Sequence, residues 1–127
     1  MALVELVTLL ALLQFVYFAT LVGRSRERLG IRAPAVSGHE TFERYYRVQM
    51  NTLELLVVLL PALWIAATVV EGYWAGLLGA IYLVGRFVYL RAYVAEPSRR
   101  SLGFALSMLP ILALLLIDLI GVLRRLT

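Results

Sequence analysis

The chain has 127 residues, of which 62% are hydrophobic and 16% are charged, and its formal net charge is +4. Because soluble domains of this size are close to half apolar, the composition predicts a membrane protein with room for one domain, residues 1–127. The absence of cysteine excludes disulfides, thiolate metal sites and a cysteine nucleophile. Every basic residue is an arginine, and most of the arginines lie at the ends of apolar segments and not along a polar face, so no nucleic-acid partner is predicted.

Four apolar segments follow one another, at about residues 2–22, 46–70, 73–94 and 102–123. Each approaches the ~20 residues that a helix needs to cross ~30 Å of hydrocarbon. The first has no basic start and no small-residue cleavage site, so it is interpreted as a span and not as a signal peptide. Since no segment alternates with a period of two, the sequence predicts an all-α, four-transmembrane-helix bundle and not a barrel.

The connections between these segments differ in length and charge. Residues 23–45 form a long connection with five arginines, whereas only Glu71 and Gly72 separate the second and third segments. The third connection contains Arg99 and Arg100. By the positive-inside rule, the first and third connections are expected in the cytoplasm, with the hairpin and both termini outside. Two arginines at the C-terminus favour the opposite orientation, but the first connection carries more of them.

Polar residues stand at the head of the second segment, in the run FERYYRVQMNTLE. At 100° per residue, Arg47, Asn51 and Glu54 fall within a narrow arc, while Gln49 points about 200° away. Ionisable residues within membrane helices are rare and usually mark a site or a paired network. One helix face therefore presents a cation, an amide and an anion, and Gln49 faces a different neighbour.

The third segment repeats the pattern, because Arg86, Tyr89 and Tyr93 share one helix face. Folding as a bundle would gather six polar residues at one membrane boundary: Arg47, Asn51, Glu54, Tyr89, Tyr93 and Arg100. A purely structural interpretation remains open, with an Arg47–Glu54 pair, an interhelical Asn51 and tyrosines in an interfacial belt. A single ion pair does not account for the excess of hydrogen-bond donors. No metal site is predicted, since His39 has no second histidine or cysteine beside it.

The residues quoted above resemble the signature of the MAPEG family, membrane-associated proteins of eicosanoid and glutathione metabolism. The likeness rests on R-x-Q-x-N-x-x-E at 47–54 and on Y-x-x-x-Y at 89–93 followed by Arg100, and it covers nearly the whole chain. The resemblance implies a homotrimer of four-helix subunits. It also implies glutathione as co-substrate, bound between neighbouring subunits at the cytosolic membrane boundary.

The resemblance assigns most of the glutathione contacts to one subunit. Arg47 and Asn51 would hold carboxylate and backbone groups of glutathione, and Glu54 would receive its amino group. Tyr89 and Tyr93 would contribute hydroxyls to the peptide. These five positions match the family motif residue by residue.

Three further roles follow from the same resemblance. Arg26 and Gln49 would reach the ligand from the adjacent subunit, which suits the divergent direction of Gln49. Arg100 would lie beside the sulfur and act as the catalytic residue. Its fixed positive charge favours thiolate over thiol, which creates the nucleophile.

The predicted function is therefore that of a membrane glutathione transferase, with a peroxidase reaction open to the same thiolate. Its second substrate would be a lipophilic electrophile arriving from the bilayer, and the run NTLE resembles bacterial members, so a bacterial inner membrane is expected. Glu27 and Leu55 replace an arginine and a tyrosine of eicosanoid-forming members, which leaves the electrophile open. Two alternatives are a non-enzymatic lipid-binding member and a small four-span exporter using Glu54. The role of Asp118 in the fourth segment also remains open.

Overall fold

The computed structural model describes all 127 residues of the chain. Its helices are α1 (Ala2–Leu29), α2 (Glu40–Val69), α3 (Gly72–Ala95) and α4 (Ser101–Leu126), and a 3₁₀ turn, Pro97–Arg99, precedes α4. All four α-helices are long and apolar enough to cross a membrane. The predicted all-α fold with four membrane helices is therefore confirmed.

Interhelical contacts fix the direction of each helix. Arg44 near the start of α2 donates to the carbonyl oxygens of Val94 and Ala95 at the end of α3, at 3.0 and 3.1 Å. Arg125 at the end of α4 donates to the hydroxyl of Thr68 near the end of α2. We call the end where α1 and α3 finish the basic end. The opposite end, which holds the short connection from α2 to α3, is the hairpin end.

Helix α1 continues well past the apolar segment at 2–22 and carries three arginines in its last turns. It ends because Gly30 adopts φ 69°, a left-handed conformation that glycine takes without steric cost, and its N–H donates to the Arg26 carbonyl. Helix α2 begins where the His39 side chain accepts a hydrogen bond from the Thr41 amide at 3.1 Å. These polar extensions place the arginines beyond the apolar stretch and on rigid helix.

The core lies along the shared axis of the four helices, around fully buried residues such as Val4, Leu59 and Leu114. On the outside, large apolar side chains such as Leu13 and Val57 are 63% and 68% exposed. Exposed apolar area of this extent is unusual for a soluble protein and suits contact with lipid.

Helices α3 and α4 approach each other most closely beside the polar part of the bundle. A Cβ added at Gly103 would lie 2.4 Å from the backbone nitrogen of Tyr89, and one at Gly85 would lie 2.6 Å from the Leu106 carbonyl carbon. Both glycines are needed because any side chain would push the helices apart. The close contact of α3 with α4 fixes the position along the bundle axis at which the polar residues of α3 lie.

The hairpin end is held by a different set of contacts. Trp64 donates to the Thr8 hydroxyl at 2.9 Å, which joins α2 to α1. Arg125 also donates to the Thr68 carbonyl, one of the last carbonyls of α2, which have no partner within the helix. Arg125 is one of the two C-terminal arginines whose charge favours the opposite membrane orientation, and in the structure it has a hydrogen-bonding partner, Thr68.

Candidate functional site

A cavity of about 590 Å³ opens at the basic end between α2, α3 and the start of α4. Its lining combines two guanidinium groups, one amide, one serine hydroxyl, two phenols and one phenyl ring. The lining residues are Arg47, Asn51, Tyr89, Tyr93, Arg100, Ser101 and Phe104. Five of the residues selected from the sequence therefore meet around one space.

Arg47, which lines the cavity, forms an ion pair with Glu54, which does not. Their Nη1 and Oε1 atoms are 3.7 Å apart, and both side chains are a little over half exposed, at 55% and 54%. An exposed pair at this distance contributes little to stability. Arg47 is therefore not neutralised in a buried bridge, and its guanidinium remains available to an anion in the cavity.

Arg100 follows the 3₁₀ turn Pro97–Arg99, which carries the chain from α3 to α4. Its Nη1 donates to the Pro97 carbonyl at 3.1 Å, and the residue is otherwise exposed. Four of the five N–H groups of the guanidinium thus face the cavity or solvent. In the same lining, the rings of Tyr89 and Tyr93 stack at 5.4 Å between centroids.

Arg86 lies beneath the cavity and is completely buried. Its Nε donates to the Ser107 hydroxyl at 2.8 Å, and its Nη1 donates to the Asn51 amide oxygen at 2.7 Å and to the Thr52 hydroxyl at 3.2 Å. Its guanidinium carbon lies 4.3 Å from the centroid of the Tyr89 ring. One cation therefore connects α2, α3 and α4.

These contacts also determine how Asn51 is oriented. Because Arg86 has only donors, it selects the amide oxygen of Asn51, and the amide nitrogen is left free to donate on the cavity side. The sequence predicted Arg86 on the same face as the two tyrosines. In the structure its guanidinium does lie against the Tyr89 ring, and its side chain occupies the interhelical core, where it supports the cavity without lining it.

Arg26 and Gln49 do not line the cavity. Arg26 donates to the Ala35 carbonyl at 2.6 Å and stacks on Phe42, with its guanidinium carbon 4.7 Å from the ring centroid. Gln49 is partly buried, and its side chain makes no hydrogen bond within the chain. Their assignment to a neighbouring subunit's site remains a prediction.

Sequence reasoning missed four residues that matter here. Ser101 and Phe104 line the cavity, while Thr52 and Ser107 are partners of Arg86. Phe104 could have been selected because it follows Arg100 by one helical turn and so shares its face. A serine or threonine within an apolar helix gives no such signal, since its importance depends on what faces it.

No group of three or more histidine, aspartate or glutamate side chains in the structure is placed to hold a metal ion. Asp118 in α4 is only 7% exposed, and neither of its carboxyl oxygens has a hydrogen-bond partner within the chain.

Comparisons with known proteins agree with the sequence signature. The MAPEG family model matches residues 4–120. An uncharacterised protein of Synechocystis is 40% identical over 121 residues, covering 95% of this chain and 88% of the relative. Mouse microsomal glutathione S-transferase 2 is 39% identical over 119 residues, with 90% and 81% covered. Bovine leukotriene C4 synthase is 34% identical over 99 residues, with 78% and 66% covered.

Proposed function

Because the chain belongs to the MAPEG family, we propose that it is a membrane glutathione transferase. The observation that carries this proposal is the cavity at the basic end, where two exposed guanidinium groups, an oriented amide nitrogen and two phenols converge. Its volume of about 590 Å³ lies within the ~300–1,000 Å³ usual for small-ligand sites. The transferase named among the relatives supports the choice of thiol.

Glutathione has two carboxylates, one amino group and one thiol, and the site offers a counterpart to each. Arg47 can bind a carboxylate with two parallel hydrogen bonds, and the Asn51 amide nitrogen can donate to the same end of the peptide. Glu54 supplies the negative charge for the amino group, and Tyr89 and Tyr93 supply hydroxyls for the peptide backbone.

Arg100 activates the sulfur in this proposal. A cation beside the thiol stabilises the thiolate, so the proton leaves to solvent at a lower pH and more of the nucleophile is present at neutrality. Each tenfold gain in thiolate requires about 1.4 kcal/mol of differential stabilisation. Only one N–H of Arg100 is engaged within the chain, so the charge is free to act on the ligand.

The thiolate then attacks an electrophilic carbon, forming a C–S bond while the leaving group departs with its electron pair. With a lipid hydroperoxide, the same thiolate attacks a peroxide oxygen, and the O–O bond breaks to give a sulfenic acid and an alcohol. A second glutathione converts the sulfenic acid to glutathione disulfide and water. The electrophile would be lipophilic and would enter sideways from the bilayer, against which the exposed apolar faces of the helices lie.

A homotrimer completes the proposed site. Arg26 and Gln49 lie outside the cavity of their own subunit. Gln49 lies on the opposite side of α2 from Asn51, and in the proposed trimer it would contact a neighbouring copy. The proposed location is a bacterial inner membrane, with the arginine-rich basic end and its cavity in the cytoplasm.

Two other functions fit the features less well. A proton-coupled exporter needs a carboxylate shielded from water, but Glu54 is over half exposed and paired with Arg47. A lipid-binding protein without catalysis would retain an apolar groove and would have no use for the free guanidinium of Arg100.

The test is conjugation of glutathione to 1-chloro-2,4-dinitrobenzene by the purified full-length protein in detergent. We expect measurable turnover that falls about 100-fold in Arg100→Gln, the order of effect seen when one stabilising donor is removed from an active site. Glutathione binding, measured by calorimetry, should weaken much less than turnover.

Arg99→Gln is the matched control, since Arg99 is adjacent, exposed and paired with Glu96 at 3.3 Å. It should retain full activity. Glutathione binding without turnover in the unmodified protein would favour the lipid-binding function, and no binding at all would remove glutathione from the proposal.

A further inference from the structure

A second polar cavity, of about 360 Å³, lies at the basic end between the last turns of α1 and the first turns of α2. It is lined by Leu21, Arg24, Ser25, Arg28 and Tyr45. None of these residues lines the cavity around Arg100, so the two spaces are separate.

Arg24 and Arg28 are one helical turn apart and therefore project from the same face of α1. Neither side chain takes part in an ion pair or a hydrogen bond, whereas the three ion pairs of the structure involve other arginines. Like charges at this spacing repel each other. The pair therefore presents two uncompensated positive charges to the same small space.

Ser25 adds an unsatisfied donor to the lining of this cavity. The residue is 3% exposed, and its hydroxyl has no hydrogen-bond partner. Two other buried hydroxyls, those of Thr52 and Ser107, are satisfied by their own helix, since each donates to the carbonyl four residues earlier. A buried hydroxyl without a partner is costly, so an acceptor brought into this cavity would gain a hydrogen bond.

We propose that this cavity binds the phosphate of an anionic phospholipid. A phosphate group offers several oxygens to two guanidinium forks, with acceptors to spare for the hydroxyls of Ser25 and Tyr45. Leu21, at the inner side of the cavity, is apolar and marks the direction of the hydrocarbon. A free phosphate ion would make the same polar contacts, but it has no apolar part that could pack against Leu21.

The depth of the cavity in the membrane supports a headgroup ligand. Leu21 belongs to the apolar stretch of α1, and Arg24 and Arg28 follow it on the polar extension of the same helix. Arginines at this level lie where lipid phosphates are found, and basic pockets between membrane helices are established binding sites for anionic headgroups.

The experiment is native mass spectrometry of the full-length protein in a neutral detergent, titrated with phosphatidylglycerol or with phosphatidylcholine. The test variant is the double substitution Arg24→Gln/Arg28→Gln. The control is Arg32→Gln/Arg99→Gln, which removes the same charge from the basic end outside this cavity. Circular dichroism in phosphatidylcholine nanodiscs checks that all three proteins are equally folded.

We expect the unmodified protein and the control to bind phosphatidylglycerol in preference to phosphatidylcholine. In the test variant, the affinity for phosphatidylglycerol should fall about thirtyfold, since each arginine near the surface contributes roughly a fivefold factor. Ser25→Ala should give a smaller loss in the same direction.

Two results would overturn the proposal. Equal losses in the test and control variants would show that general surface charge attracts the lipid. Displacement of phosphatidylglycerol by millimolar inorganic phosphate would assign the cavity to a soluble anion. Glutathione conjugation is measured separately on the same proteins, so failure here would leave the proposed activity standing.

Discussion

Two arginine environments lie within a few turns of each other in this bundle, and they are built in opposite ways. Arg86 is fully buried, with three hydrogen-bond acceptors from two neighbouring helices. Arg100 is exposed and uses one N–H on a nearby carbonyl. The Nε and Nη1 of Arg86 donate to acceptors on two neighbouring helices, although its buried Nη2 has no partner, so this cation holds the helices in register. A cation with exposed, free donors can instead receive a ligand. The comparison separates residues that shape the cavity from residues that would do its chemistry.

Asn51 belongs to both environments, because its oxygen accepts from Arg86 and its nitrogen is left to the cavity. The buried cluster therefore fixes which end of the amide a ligand meets. Substitutions at Arg86, at Asn51 and at Gly103 test in turn which residues support the cavity and which would contact its ligand.

The largest effect is expected from Arg86→Met. Removing the cation leaves the Asn51 amide oxygen without its donor and removes the guanidinium that stacks on the Tyr89 ring, while Thr52 and Ser107 keep their bonds to the carbonyls four residues earlier. A buried polar group left without a partner costs about 1–3 kcal/mol, and the lost packing adds to that cost. Thermal unfolding followed by circular dichroism should show a lower midpoint, and glutathione binding should be lost with it. An unchanged midpoint would mean that the cluster does not hold the three helices together.

Asn51→Asp should separate the two roles of this residue. The carboxylate still accepts from Arg86, so the thermal midpoint should hold, but the cavity loses a donor and gains a negative charge. A hydrogen bond to a charged group contributes about 1.5–3 kcal/mol, so glutathione should bind roughly 10- to 100-fold more weakly in calorimetry. Unchanged affinity would show that the amide nitrogen does not contact the ligand.

Gly103→Ala moves the helices that carry the two environments. The new Cβ would lie 2.4 Å from the Tyr89 nitrogen, so α4 must shift away from α3. We expect a destabilisation of about 1–3 kcal/mol, measured as a lower thermal midpoint. The control is Gly23→Ala in α1, where nothing lies within 4 Å of the added Cβ and alanine should stabilise the helix slightly.

Arg125→Gln tests a charge far from both environments and should have the smallest effect. Arg125 donates to the hydroxyl and carbonyl of Thr68 at the end of α2. Losing those bonds should cost about 0.5–1.5 kcal/mol of stability. Conjugation should be unaffected, and a fall in turnover would mean that the hairpin end communicates with the cavity.

The fold could be predicted from the sequence because each apolar segment is long enough to demand a spanning helix, and the fold class followed from that. The ends of the helices were harder to predict. In α1 the helix continues through Arg24 and Arg28, where apolar composition no longer marks it, and stops only at the left-handed Gly30.

For the site, helical spacing correctly brought Arg47 and Asn51 to one face, and the structure places both in one cavity with Arg100. The same geometry was insufficient for Arg86. Helical spacing gives the direction in which the Arg86 side chain leaves the helix axis, but it does not tell whether that side chain ends in the cavity or in the core. It ends in the core because Ser107 of α4 accepts its hydrogen bond, and the glycine contacts between α3 and α4 bring Ser107 within reach.

The positions of the two tryptophans have a practical consequence for optical measurements. Trp64 and Trp74 both lie toward the hairpin end, with Trp64 bonded to Thr8 of α1, and the lining of the cavity contains no indole. A ligand in that cavity therefore cannot quench tryptophan emission by contact. Any change of emission on adding glutathione would report a movement carried along the helices, so intrinsic fluorescence offers a direct measure of how rigid the bundle is.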